Sequence, residues 1–154
     1  MAAWPSAVGG LCSRLMGDPE PTCRKFRPGE TYAGKQGFNY AAGISAESAG
    51  ARGICMHLLT LQPGDRAKAH LHANHETAIY ALEGESEMWY GDRLQHHMVV
   101  RAGEMLYIPA GVPQLPANRS GRPCTVVIAR TDPNEQESVV LLPELEALVP
   151  RGAG

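Results

Sequence analysis

Basic charge is scarce in this sequence. Lys and Arg number 14 against 16 Asp and Glu, for a net charge of −2. A nucleic-acid partner would call for a basic patch, so none is expected. Long apolar runs are missing too: no stretch approaches the roughly 20 residues a membrane-spanning helix needs, and no membrane partner is expected. The four cysteines, Cys12, Cys23, Cys55 and Cys124, contain no CxxC pair. Cys55 and Cys124 lie in apolar strand-like runs and read as reduced, buried small hydrophobes. Met1 to Gly10 lacks both the basic and the apolar part of a secretory signal. That disfavours a Cys12–Cys23 disulfide and makes a cytoplasmic protein the expectation.

What the chain has in plenty is punctuation. Its 17 Gly and 12 Pro are spread between short apolar runs, the pattern of an all-β protein with many turns. At 154 residues it is read as a single domain over 22–150, preceded by a flexible tail over 1–21. Strands are expected at Cys23–Phe26, Phe38–Ile44 and Gly53–Leu61, with a loop over Ser45–Arg52. In the third strand Ile54, Met56, Leu58 and Thr60 take one face, and Cys55, His57, Leu59 and Leu61 the other. His57 reads as a satisfied core histidine. Further strands fall at Thr77–Leu82, Glu87–Tyr90, Met105–Ile108, Pro123–Arg130 and Ser138–Leu142. The Pro123–Arg130 run is apolar enough to be covered on both sides. A short helix with Pro at its first turn closes the chain near Pro143–Leu148. Tyr80, Trp89, Tyr90 and Met105 are candidates for core packing or for the wall of a ligand site. His96 and His97 are adjacent and read as surface residues.

The stretch Ala69–Glu76, with sequence AHLHANHE, carries the chemistry. His70 and His72 sit two apart on a strand-like segment, so both project from one face, about 6.5–7 Å apart at Cα. His75 and Glu76 follow after a short turn and can return to the same point. Two imidazoles, a carboxylate and room for water or substrate make an open divalent-metal site.

A second block, Gly103–Asn118, completes a pair. Gly64, His70, His72, Glu76 and Gly84 form one pattern, and Gly103, Pro109, Gly111 and Asn118 form another. Together they resemble the two motifs of the cupin superfamily over Leu58–Asn118. The resemblance implies a double-stranded β-helix, a jelly-roll barrel whose mouth collects ligands from both motifs. No internal repeat is present, so a single barrel is expected. The sequence departs from the family in two places. Gln114 stands where members usually carry a His. The carboxylate register counted back from Gly84 falls on Thr77, whereas the shorter count from His72 falls on Glu76. A one-residue slip reverses a side chain's face. Either a bulge near Asn74–Glu76 turns Glu76 inward, or His75 supplies the third ligand; Glu76 is favoured because an anion offsets the metal's charge.

The implied metal set is therefore His70, His72, Glu76 and Gln114, around Fe, Mn, Zn or Ni. Glu76 and His75 are the candidate catalytic groups, Glu76 as ligand or base and His75 as reserve ligand or proton shuttle. A neutral amide donor makes the metal more electrophilic, which favours Lewis-acid chemistry on a small enolisable substrate: an isomerase, cyclase or lyase. Two alternatives stand beside it. One is a non-haem Fe(II) dioxygenase using a His70–His72–Glu76 triad, and the other is a non-catalytic cupin that binds a small molecule or sugar. The family resemblance and the edge-strand argument imply a homodimer.

Overall fold

A computed structural model describes residues 22–134, 136 and 138–150. The expected tail over 1–21 lies outside them, as does Cys12. The strands are β1 (Thr31–Ala33), β2 (Asn39–Ile44), β3 (Cys55–Leu61), β4 (His70–His72), β5 (Thr77–Glu83) and β6 (Glu85–Tyr90). They continue as β7 (His96–Arg101), β8 (Met105–Ile108), β9 (Gln114–Ala117), β10 (Cys124–Arg130) and β11 (Val139–Leu141). They form two antiparallel sheets, one in the order β1-β2-β3-β10-β5-β8 and one in the order β11-β4-β9-β6-β7. The expected all-β double-stranded β-helix is what the chain builds.

Alternation of side chains explains where the core sits. In β3, Cys55, His57, Leu59 and Leu61 are on the buried side, and in β10 Cys124, Val126, Ile128 and Arg130 are. From these rows Leu59, Leu61, Cys124, Val126 and Ile128 meet Phe38, Tyr40, Ala81 and Val100 in one cluster between the sheets. The other face of β10 is only half-buried, so the expectation of cover on both sides does not hold. Across that outer face, register aligns Met105 with Tyr80, Tyr80 with Val127, and Val127 with Leu58. Met105 is 83% exposed and Tyr80 40%. The face is apolar and open.

A second cluster lies on the outside of the five-stranded sheet. Ala69, Leu94, Leu115, Ala117 and Val149 are buried there, with Trp89, Leu142 and Leu145 against them. The C-terminal segment Pro143–Leu148, a 3-10 helix rather than an α-helix, covers it. Arg66 pins that segment through Glu146 at 2.8 Å and the Glu146 carbonyl at 2.9 Å. Glu146 also accepts the Ala69 N–H at 2.6 Å.

Other local readings needed revision. Cys23–Phe26 forms no strand; the first strand starts after Pro28-Gly29, where Tyr32 stacks on Tyr40 with ring centroids 5.5 Å apart. Inside the expected loop Ser45–Arg52, α1 (Ala46–Ala49) forms because Ser45 caps it and Gly50 ends it in the left-handed region. The second-motif Asn118 ties its turn, donating from Nδ2 to Leu61 O at 2.9 Å and to Arg122 O at 2.8 Å.

Candidate metal and substrate site

Two strands of the smaller sheet bring the donors together. β4 turns His70 and His72 into the barrel, each 3% exposed, while Leu71 points out. Gln114 opens β9 directly opposite His70 and is buried. The His70 and His72 rings stand 5.1 Å apart and nearly perpendicular, at 84°.

His70, His72 and Gln114 line one small cavity between the sheets together with Thr77 and Arg130. Phe38, Tyr40, Leu61, Ile79 and Val126 supply apolar wall. Its volume is about 50 Å³. A single water needs roughly 10–15 Å³ on that measure, so the cavity suits a molecule of few heavy atoms. Tyr80, Trp89, Tyr90 and Met105 are not among its lining residues. Tyr80 and Met105 face outward, and Trp89 lies under Arg119, whose guanidinium is 4.4 Å from the ring centre. The aromatic wall is Phe38 and Tyr40 instead. His57 behaves as a core residue, accepting the Gly43 N–H at 3.4 Å on Nδ1. His96 and His97 are exposed at the start of β7.

His70 Nδ1 lies 2.7 Å from Lys68 O; placing its proton there puts the lone pair on Nε2, the tautomer a metal ligand needs. For His72, burial, then the Arg130 charge, then the His70 and His75 rings hold the pKa down to about 2. It is neutral at any working pH. Among the described residues, His72 Nδ1, Thr77 Oγ1 and Gln114 Oε1 are buried side-chain atoms with no hydrogen-bond partner.

The two residues considered for a third ligand go elsewhere. Glu76 is exposed, and its carboxylate accepts from Tyr107 OH at 2.6 Å on the outside of the barrel, which raises the Tyr107 pKa. Its N–H donates to Thr131 Oγ1 at 3.0 Å. β5 enters with Thr77 buried and opposite Ile108, so alternation sends Glu76 outward. His75 is buried but packs behind His72, ring centroids 4.4 Å apart. Its Nδ1 meets Ser138 Oγ at 2.6 Å and Asp132 Oδ2 at 3.6 Å. It is not a lining residue.

Among the described residues no three His, Cys, Asp or Glu side chains cluster as a metal site. The donor set that does converge is two imidazoles and an amide oxygen. The His70 tautomer and the unpartnered Gln114 Oε1 fit a divalent ion, with the anionic position left open. Sequence reading overlooked Arg130. Its place at the inward end of the Cys124–Val126–Ile128 alternation was the available signal.

The family model described as "Cupin domain" matches residues 57–129. That match spans just under half of the chain, from β3 to β10. Solved structures agree on the fold. An oxalate oxidase aligns with a TM-score of 0.65 and 19% identity, over 90% of this chain and 73% of its own. A protein from Klebsiella pneumoniae with a double-stranded β-helix domain aligns at 0.56 and 16%, over 75% and 86%. A sugar phosphate isomerase of the cupin superfamily from Silicibacter pomeroyi aligns at 0.52 and 21%, over 70% of each chain. No curated protein matches the sequence. At these identities the likeness to these structures is one of fold.

Proposed function

We propose that this cupin is a metal-dependent enzyme in which His70, His72 and Gln114 hold a divalent cation (Fe, Mn, Zn or Ni) beside a small enolisable substrate. The observation that carries the reading is the meeting of two buried imidazoles from β4 with the unpartnered amide oxygen of Gln114 from β9 at one cavity. When bound, the cation would polarise a carbonyl or enolate oxygen. The chain's own residues do the rest. Lys68 O keeps the His70 proton on Nδ1. Thr77 Oγ1 offers a hydroxyl to substrate oxygen from β5 of the other sheet. The apolar lining excludes water and strengthens each polar contact within.

The oxygenase triad of His70, His72 and Glu76 is not assembled, because Glu76 lies outside. A second reading, a non-catalytic cupin that binds a small molecule, draws support from Thr77 facing the cavity where a carboxylate would complete a metal site. Elemental analysis of the purified chain beside His72→Ala and Gln114→Ala separates the two. The enzyme reading expects near-stoichiometric metal in the wild type and its loss in His72→Ala. No metal after supply of Fe, Mn, Ni and Zn overturns it in favour of the binder.

A further inference from the structure

The two histidines of β4 are held in different ways. His70 is fixed by a hydrogen bond, its Nδ1 lying 2.7 Å from Lys68 O. His72 Nδ1 is buried and meets no hydrogen-bond partner among the described residues. The torsion that turns a flat ring has a broad minimum, and a metal-binding imidazole must aim its lone pair at the ion. Packing therefore has to do for His72 what a hydrogen bond does for His70. The face that packs on it is another imidazole. His75 lies with its ring centroid 4.4 Å away and its plane tilted by 34°, whereas His70 stands nearly perpendicular at 84°.

His75 is itself fixed from several sides. It is 1% exposed, and its Nδ1 meets Ser138 Oγ at 2.6 Å with Asp132 Oδ2 3.6 Å away. The turn that carries it is tied to the same part of the chain. Ala73 N donates to Ser138 O at 2.9 Å, Glu76 N to Thr131 Oγ1 at 3.0 Å, and Thr131 N to Glu76 O at 3.2 Å. Register then sets Val139 opposite His72, so the residue after Ser138 pairs with the ligand strand. We propose that His75, oriented by Ser138, is a positioning residue: its ring face sets the angle of the His72 ring, as the Lys68 carbonyl sets that of His70. This gives a role to a buried histidine that is not a lining residue of the cavity. It deepens the proposed function and rests on it for the ion, whereas the order of the His72 ring is measurable without one.

Two measurements on the full chain test the proposal: carbon-13 relaxation of the His72 ring after treatment with a chelator, and Co²⁺ titration followed in the visible spectrum. The wild type should show an ordered ring, and Ser138→Ala and His75→Leu a mobile one. Ser138→Thr keeps the hydroxyl and should restore the order. Co²⁺ should bind Ser138→Ala and His75→Leu at least about ten-fold more weakly than the wild type, with an altered d–d spectrum, and Ser138→Thr as the wild type. A His72 ring equally ordered, or equally mobile, in the wild type and both weakened variants overturns the proposal whether or not metal binds. A wild type that binds Co²⁺, with affinity and spectrum unchanged in both variants, overturns it too and spares the metal-dependent reading. A wild type that takes no Co²⁺, but whose His72 ring loosens in the variants, sinks the metal-dependent reading and upholds His75 as the residue that fixes His72.

Discussion

His72 shows how burial sets both chemistry and stability. Its pKa in the fold is about 2, against about 6.5 in an unfolded chain. Below pH 6.5 the unfolded state binds a proton that the folded state refuses, so stability falls as pH drops from about 6.5 toward 2. The contribution from this one residue is about 2 kcal/mol lost between pH 7 and pH 5. Urea unfolding at the two pH values should show that difference in the wild type and a smaller one in His72→Leu; identical differences would mean His72 does not titrate on unfolding. Thr77 offers a second test at this scale. Counting back from Gly84 finds it and counting forward from His72 finds Glu76, and only the strand's alternation decides between them. Because Thr77 faces the cavity, Thr77→Glu supplies the missing anionic donor, and Mn²⁺ titration should show affinity at least about ten-fold tighter. Unchanged affinity would place the cation away from Thr77. His70, His72 and Gln114 were readable because motif spacing names them. Arg130 was not, because an apolar run suggested a strand covered on both faces.

Elements with strict alternation were the easiest to read. Both faces of β3 and the inward row Cys124, Val126, Ile128 follow directly from period two. The short elements were harder, since tertiary contacts determine them: β1 exists where Tyr32 finds Tyr40, and the C-terminal turn is 3-10 because six residues are anchored by Glu146 rather than by their own ladder. Glu146→Ala removes its hydrogen bonds to Arg66 and Ala69. Partial exposure of the pair limits the cost to about 1 kcal/mol, read as a lower urea midpoint with an unchanged slope. The β5–β6 turn is less forgiving. Gly84 has φ +73°, and a Cβ there would lie 2.2 Å from Pro123 O. Gly84→Ala should therefore cost more than about 1 kcal/mol; a neutral effect would show that the turn can open away from β10.

At the scale of the molecule, two glycine-punctuated motifs at the right separation were enough for the barrel, because they place the turns that bring β4 and β9 together. They carry no information about its outer surface. Apolar residues occupy both faces of β3, β5 and β10, so pattern alone does not distinguish a covered outer face from an open one. The structure leaves one open: Met105, Tyr80, Val127 and Leu58 run across the six-stranded sheet in register, with Leu82 and Tyr107 also exposed. The homodimer expected from the family resemblance needs a face that complements itself about a two-fold axis, and an uncharged apolar row meets that need where a charged edge would not. Light scattering after size-exclusion chromatography should report a dimer for the wild type and a monomer for Tyr80→Glu/Met105→Glu, with the strand content unchanged by circular dichroism. Both side chains point away from the cavity, so the metal content should be the same in the monomer. A dimer that withstands both charges would move the contact to another face, and a wild-type monomer would remove the homodimer altogether.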